Sequence, residues 1–265
     1  MTDALYLPDG DHLVPTPLTT GPWDARAQHG GAPSALLAHL VEKVEAPGPM
    51  QVARLTYELL RPVPLAPLHH RTEILRPGRK VQLVQASLFT EDDTEVMRAT
   101  ALRIRTSELP VPADTVPDDQ GPGTPEDGSI RQFPHRRHEG PSYATDACEI
   151  RFVEGGFDRP GPAAAWIRLT VPVVAGEDTS PLMRLAAASD YGNGLSWTLP
   201  RDGWTFINPD LSVHLTRLPE GEWVCLRSIT HPGDLGIGVA ESALYDQRGR
   251  LGRAVQSLLL DRSPD

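Results

Sequence analysis

The second half of the sequence repeats the first, and this repeat constrains the fold more than any other feature. Seven residues of the first half recur 155 positions later, and three others recur at a distance of 156. A unit of about 110 to 120 residues is therefore present twice, which indicates a fold built from two copies. Residues that occur in only one copy become candidates for chemistry that the fold does not require. The matching pairs are Leu55/Leu211, Leu59/Leu215, Arg61/Arg217, Ile74/Ile229, Pro77/Pro232, Gly78/Gly233, Val84/Val239, Ser87/Ser242, Arg98/Arg253 and Ala99/Ala254.

Each copy is predicted to contain one helix and a set of antiparallel strands, which is an α+β fold with a curved sheet wrapped around a central helix. The N-terminal unit is residues 1–106 and the C-terminal unit is residues 143–265, and a proline-rich linker at 107–142 has little capacity to bury apolar surface. The predicted helices are 33–44 and 182–190, the predicted strands are 55–59, 70–75, 80–88, 96–104, 148–153, 165–174, 206–215, 223–230, 237–245 and 254–260, and the predicted hairpin turns are 77–78 and 91–93.

Composition excludes several classes of protein. The net charge of −10 disfavours nucleic acid as a partner, because phosphate binding needs a basic face. Cys148 and Cys225 are too few for a disulfide framework or a zinc site, which favours a reducing compartment. Residues 1–11 have neither a basic start nor a long apolar run, so we expect no membrane anchor and a cytoplasmic location.

Asp190 is the most unusual acidic residue. If the second helix continues through Trp197, then Asp190 shares one stripe with Met183, Ala187 and Gly194, which places a carboxylate among apolar and small side chains. A buried carboxylate needs hydrogen-bond donors or has a raised pKa. The alternative is that Asp190 caps the turn at 191–194.

Two amides in the second copy replace apolar residues of the first. Gln256 lies in a strand that is apolar on both faces and corresponds to Ala101, and a buried glutamine must hydrogen-bond its amide. Asn208, which precedes Pro209, corresponds to Val52. The alternatives are a structural link to a neighbouring backbone for the glutamine and an ordinary turn residue for the asparagine.

Gly30 and Gly31 lie at the start of the first helix, where exposed N–H groups and the positive helix end can stabilise a developing oxyanion. The alternative is close packing of the backbone. Other motifs carry no such chemistry: Ser196 lacks the glycine pattern of a nucleophile elbow, and glycines 233, 236 and 238 are not in the order of a phosphate loop. His69-His70 and His135-Arg136-Arg137-His138 lack metal-ligand spacing and are interpreted as solvated, with phosphate contact as the alternative for the second cluster.

The sequence resembles the acyl-CoA thioesterase II-like family of double hotdog proteins. The resemblance covers nearly the whole chain, and it implies a double hotdog fold in which each unit wraps a sheet around a helix. It is carried by Gly21-Pro22-Trp23, His29-Gly30-Gly31, Leu60-Arg61-Pro62, Leu75-Arg76-Pro77-Gly78-Arg79, Ala188-Ser189-Asp190 and residues 249–256.

The resemblance also implies an activity, the hydrolysis of acyl-CoA thioesters without a metal or bound cofactor. Asp190, Gln256 and a hydroxyl residue would orient the attacking water, but Asn208 stands where the family usually has threonine. We assign substrate binding and oxyanion stabilisation to Gly30, Gly31, Trp197 and Ser212, with acyl-CoA as the partner and a homo-oligomer as the expected assembly. Two alternatives stay open: a non-catalytic acyl-CoA-binding protein, and an enoyl-CoA hydratase, for which His214 lies too far from Asn208-Pro209.

Overall fold

The computed structural model describes residues 4–22, 24–112, 115, 119, 121–131, 139–200 and 203–262 of the 265-residue chain. Trp23 and the cluster His135-Arg136-Arg137-His138 lie outside the described residues.

The first copy consists of a hairpin, a central helix and four strands. Helix α1 begins at the glycine pair, with Pro33 in its first turn, and all eleven residues from Gly31 to Val41 are buried. It is therefore a core helix with apolar contacts on every side. The elements are β1 (Tyr6–Asp9), β2 (His12–Pro15), α1 (Gly31–Lys43), β3 (Met50–Leu59), β4 (His69–Arg76), β5 (Val81–Phe89) and β6 (Glu95–Arg105).

The second copy has the same order of helix and strands. Ser180 caps the N-terminus of its helix by accepting the Met183 N–H at 3.1 Å, and Pro181 occupies the first helical position. The elements are β7 (Ser129–Ile130), β8 (Cys148–Glu154), β9 (Ala163–Leu169), α2 (Pro181–Ser189), α3 (Gly192–Leu195), β10 (Trp204–Ile207), β11 (Asp210–Leu215), β12 (Trp223–Pro232), β13 (Ile237–Asp246) and β14 (Gly249–Arg262).

The two copies form one continuous sheet. Among the described residues its strands pair antiparallel in the order β4-β5-β6-β3-β11-β14-β13-β12-β9-β8-β7, and β10 also pairs with β14. The copies join where β3 pairs with β11, and there Thr56 lies opposite Ser212. These two residues are 156 positions apart, as the repeat requires, so the copies are related by an approximate twofold axis through this pair. The double hotdog fold predicted from the sequence is confirmed.

The Pro-Gly pairs at 77–78 and 232–233 each lie in a hairpin turn that is too tight for a larger residue at the glycine position. A Cβ at Gly78 would lie 2.4 Å from the Val81 carbonyl oxygen, and a Cβ at Gly233 would lie 2.6 Å from that of Ile237. Only glycine allows the chain to approach itself this closely. The second predicted turn, at 91–93, also joins two strands, and Asp93 adopts a positive φ of 64° there.

The two central helices pack against each other inside the sheet. A Cβ at Gly31 would lie 2.7 Å from the Ala187 carbonyl oxygen, so the glycine permits close contact between α1 and α2. Tyr143 spans the same contact by donating its hydroxyl hydrogen to the Ala187 carbonyl at 2.9 Å. The contact brings the N-terminus of α1 to the C-terminal end of α2.

The observed elements differ from the predicted ones at several places. The predicted strand 206–215 is two strands separated at Asn208-Pro209, because proline has no N–H for the ladder. The second helix does not run continuously to Trp197, because α2 ends at Ser189 and α3 begins at Gly192. The predicted strand 165–174 ends at Leu169, and the hairpin of β1 and β2 was not predicted.

The described part of the linker lies against the second copy. Pro125 is buried, and Ser129 and Ile130 pair with β8. Asp119 accepts hydrogen bonds from the Tyr245 hydroxyl at 3.1 Å and from Arg250 at 2.8 Å. None of the helices described here is both long and apolar enough to cross a bilayer.

Candidate active site

Asp190 occupies the C-terminal cap of α2, and only 9% of its side chain is exposed. Its Oδ1 accepts a hydrogen bond from Asn208 Nδ2 at 2.9 Å and another from Gln256 Nε2 at 3.2 Å. The structure therefore brings together the acid and the two amides that the sequence singled out. Two amide donors on one oxygen hold the carboxyl group in a fixed orientation.

Gln256 is positioned by the backbone at the end of α2. It points from β14 toward the core, where its Oε1 accepts the Asn193 N–H at 3.0 Å and its Nε2 also contacts the Asp190 carbonyl oxygen at 3.3 Å. Only 1% of the residue is exposed. Both ends of its amide are thus hydrogen-bonded. The amide links β14 to the backbone at the end of α2 and also contacts the Asp190 carboxyl group.

Asn208 is positioned by the break between β10 and β11. Pro209 cannot donate to the sheet, and its carbonyl oxygen instead accepts the Leu59 N–H from the first copy at 2.8 Å. The side chain of Asp210 accepts the Ser257 N–H at 2.6 Å, which closes the gap in the ladder. The break frees the asparagine side chain to reach Asp190.

The first copy completes the cluster through the residues before α1. A Cβ at Gly30 would lie 2.7 Å from Asp190 Oδ2, so only a glycine leaves room for the carboxyl group. The Gly31 N–H donates to His29 Nδ1 at 3.0 Å, and this Nδ1 lies 3.3 Å from Asp190 Oδ2. The His29 ring packs against those of Tyr143 and Tyr191, with 4.8 Å between ring centroids in each pair, and the two tyrosine rings also contact each other at 6.0 Å.

Burial shifts both titratable groups of the cluster. Burial raises the pKa of Asp190 to about 6, against hydrogen bonds from Asn208, Gly31 and Gln256 that lower it. Burial lowers the pKa of His29 to about 4, so its imidazole is neutral at pH 7. Asp190 is consequently ionised at neutral pH but is a stronger base than a solvated aspartate.

The structure also places the other residues weighed from the sequence, Ser212, Trp197 and His214. Ser212 lies opposite Val255 in the sheet, so its side chain is on the face away from Gln256. Trp197 follows α3, and its carbonyl oxygen accepts the Gly161 N–H at 2.8 Å. His214 is exposed on β11.

Sequence reasoning missed His29 as part of the site. From the sequence, this residue was interpreted only as part of the His29-Gly30-Gly31 motif that precedes α1. Its position beside the glycine pair was the available signal, since whatever approaches Gly30 also approaches its neighbour.

The first copy has a different acid at the corresponding place. When Pro33 is aligned with Pro181, Glu42 of α1 corresponds to Asp190 of α2. Glu42 is exposed, and its Oε2 accepts a hydrogen bond from the Ser180 hydroxyl at 2.6 Å.

The amide contacts at the end of α2 are replaced by an arginine at the end of α1. Arg103 is 4% exposed and donates to the Val41 carbonyl and, at 2.8 Å, to that of Val44. It caps the helix where Gln256 contacts the end of α2, and Ala101 occupies the position equivalent to the glutamine. The cluster around Asp190 thus has no counterpart of the same composition in the first copy.

Comparison with protein families accounts for both copies. A family model described as the acyl-CoA thioesterase N-terminal domain matches residues 19–104, and one described as the acyl-CoA thioesterase C-terminal domain matches residues 112–260. The chain belongs to the acyl-CoA thioesterase family. It is a thioesterase, an enzyme that hydrolyses thioesters, and the family resemblance identified from its sequence is confirmed.

Solved structures similar to this thioesterase share its fold over almost the full length. A conserved protein of unknown function with a hot dog fold from Alicyclobacillus acidocaldarius is 16% identical, with a TM-score of 0.71 and coverage of 98% of this chain and 96% of that one. The tesB protein of Mycobacterium avium subs paratuberculosis is 16% identical, with a TM-score of 0.65 and coverage of 98% and 96%. The acyl-CoA thioesterase II TesB2 of Mycobacterium marinum is 16% identical, with a TM-score of 0.63 and coverage of 93% and 96%. No curated protein matches the chain.

Proposed function

We propose that this thioesterase hydrolyses acyl-CoA thioesters to the free acid and coenzyme A, with Asp190 as the general base. The observation that supports this role most strongly is the buried Asp190 carboxyl group, whose Oδ1 accepts hydrogen bonds from Asn208 and Gln256. Burial raises the pKa of Asp190 to about 6, close to neutral pH, which suits a general base. A buried carboxylate with a fixed orientation and an increased basicity suits proton abstraction from water.

The two amides have separate tasks in this mechanism. Because the Asp190 carboxylate can only accept hydrogen bonds, Asn208 must turn its NH₂ group toward it, and the amide oxygen of Asn208 points elsewhere. That oxygen can accept a hydrogen bond from the attacking water while Asp190 accepts the other. Gln256 fixes the carboxylate, and the Asn193 N–H in turn fixes Gln256. An asparagine can therefore replace the threonine usual in the family.

The reaction proceeds by addition of water and loss of the thiolate. A water proton moves to Asp190 as the water oxygen bonds to the thioester carbon, and the carbonyl oxygen becomes negatively charged. The positive N-terminal end of α1 at Gly30-Gly31 stabilises that charge. The carbon–sulfur bond then breaks, and the proton held by Asp190 returns to the sulfur of coenzyme A.

The same residues support one active site per chain. Ala101 and Val52 of the first copy correspond to the two amides, and Arg103 caps the helix end in their place. Water at that end of α1 would lack the acceptors that orient it, and orientation is a large part of the rate acceleration.

Release of free thiol from a panel of acyl-CoA esters tests this proposal. Asp190→Asn should lower the rate by roughly 10²-fold or more, because the amide cannot accept the proton. Glu42→Gln is the matched control, since it makes the same change at the helix end of the first copy, and it should leave the rate unchanged. Equal rates for Asp190→Asn and the wild type would refute the assignment.

The same panel distinguishes the alternatives. A non-catalytic protein binds acyl-CoA without releasing thiol. A hydratase consumes the double bond of an enoyl-CoA without releasing thiol.

A cytoplasmic location and a homo-oligomeric assembly stay predictions. The assembly is supported by β4, the strand at one end of the large sheet, where seven of the eight residues are exposed. Light scattering that gives the mass of one chain at all concentrations would refute it.

A further inference from the structure

His29 belongs to the first copy, yet its ring contacts the acid of the second. Its Nδ1 lies 3.3 Å from Asp190 Oδ2, the carboxyl oxygen that the two amides do not contact, and its side chain is 13% exposed. The rings of Tyr143 and Tyr191 both pack against the imidazole and hold it in this orientation. The arrangement places a nitrogen directly beside the oxygen that can receive a proton.

The hydrogen bond from the Gly31 N–H defines the protonation state of His29 Nδ1. A backbone N–H can only donate, so His29 Nδ1 must present its lone pair to the Gly31 N–H at 3.0 Å. The ring hydrogen is then on Nε2, and the imidazole is neutral. Burial, which lowers the pKa of His29 to about 4, favours the same neutral state.

The titratable groups packed around the pair are neutral as well. They are Tyr143, Tyr191, Cys148 and, further back, Tyr6. Burial raises the pKa of the Cys148 thiol to about 12 and raises the pKa of each tyrosine well above its usual value. Between pH 5 and pH 8 the change of charge at this site is therefore confined to Asp190.

We infer that His29 is a positioning residue for hydrolysis, whose Nδ1 lone pair accepts a hydrogen bond from the Asp190 carboxyl group, in place of the one from the Gly31 N–H, once that group has taken a proton from water. This inference rests on the proposed role of Asp190 as the base. A lone pair beside Oδ2 opposes the carboxylate and favours the carboxylic acid, so it makes Asp190 more basic. The proton stays on Asp190 Oδ2 until the carbon–sulfur bond breaks and then moves to the sulfur.

Three variants separate this role from simple packing. His29→Phe keeps a ring packed against the two tyrosines but removes the acceptor, whereas His29→Asn can place its amide oxygen near the position of Nδ1. His39→Phe is the matched control, because His39 is a buried histidine of α1 that does not contact Asp190. Thermal unfolding identifies any variant that fails to fold; His29→Leu then replaces His29→Phe, and His29→Gln replaces His29→Asn.

The first measurement is the ionisation of Asp190 in the substrate-free enzyme, read from the carboxyl infrared band that is absent in Asp190→Asn. We expect titration near pH 6 in the wild type and in His39→Phe, a midpoint about one unit lower in His29→Phe, and recovery toward the wild-type value in His29→Asn. An unchanged midpoint in His29→Phe overturns the inference. A higher midpoint also overturns it, because it would mean that His29 is a cation paired with the carboxylate.

The second measurement is the pH dependence of thiol release. The acidic limb of kcat/KM should follow Asp190, so it should move to lower pH in His29→Phe, with kcat at neutral pH reduced about tenfold and KM unchanged. A loss of kcat without movement of the limb indicates a structural role and contradicts the inference. The infrared titration needs no turnover, so it decides the role of His29 even if the wild type releases no thiol and the proposed function fails.

Discussion

Replacing Gln256 with alanine removes three contacts at the end of α2. The Oε1 atom no longer accepts the Asn193 N–H at 3.0 Å, and the Nε2 atom no longer donates to Asp190 Oδ1 at 3.2 Å or to the Asp190 carbonyl at 3.3 Å. Asn193 is 7% exposed, so its N–H is left without a partner in a buried position. Asn208 then holds the carboxylate alone.

The magnitudes follow from these losses. An unpaired buried N–H costs about 1 to 3 kcal/mol, which should appear as a lower free energy of unfolding. A lost preorganised donor raises the barrier of the reaction by roughly 2 to 4 kcal/mol, equivalent to a rate about 30- to 1000-fold lower. The pKa of Asp190 should also rise, because the Gln256 hydrogen bond lowers it in the wild type.

The two effects are measured separately, by urea unfolding and by thiol release at a pH where Asp190 is ionised in both proteins. Gln82→Ala is the matched control, because Gln82 is a glutamine of the first copy that is 3% exposed and accepts a hydrogen bond from Arg103 at 3.2 Å. We expect this control to lose stability and retain full activity. If Gln256→Ala also loses stability but hydrolyses acyl-CoA at the wild-type rate, then Gln256 is a structural residue and the reasoning fails.

Two further predictions follow from the contact between the copies. Gly30→Ala places a Cβ 2.7 Å from Asp190 Oδ2, so it should displace the carboxyl group and lower the rate of thiol release at least about tenfold. Gly48→Ala is the control, because its Cβ has no atom within 4 Å, and it should leave the rate unchanged. Equal rates for the two variants would contradict the geometry. A fragment of residues 1–106 exposes the edge of β3 that pairs with β11 and uncovers α1, so it should aggregate in size-exclusion chromatography. A soluble fragment that unfolds cooperatively would mean that the copies are independent domains.

The repeat predicted the parts of the fold that depend on local pattern. Strands β3 to β6 and β12 to β14 were found because alternating residues between turn signals mark half-buried strands. The break at Asn208-Pro209 was missed, since apolar residues on both sides suggested one strand while the missing proline N–H interrupts the ladder. The hairpin of β1 and β2 was missed because its strands have only four residues each.

Residues of the candidate site could be predicted from the sequence only where a polar side chain lies in an otherwise apolar helix or strand. Asp190 and Gln256 were recognisable because a charged or amide group in an apolar element needs partners. His29 lies in a loop before a helix, where a polar side chain is common, so its residue type gives no such signal. Its approach to Asp190 depends on how α1 packs against α2, and the sequence pattern of one element carries no information about that distance.

The packing of the two helices accounts for the proposed division of roles, in which one copy carries the reaction and the other supports it. The same close contact that sets Gly31 against the Ala187 carbonyl brings the N-terminus of α1 to the acid at the end of α2. At the opposite ends of the helices Arg103 donates to the last carbonyls of α1 and stabilises the helix, which leaves no site for an oriented water. In an assembly of identical units both ends would need the same residues. Joining the copies in one chain removes that requirement. Arg103 can therefore stabilise the C-terminal end of α1 while Gln256 contacts Asp190 at the C-terminal end of α2.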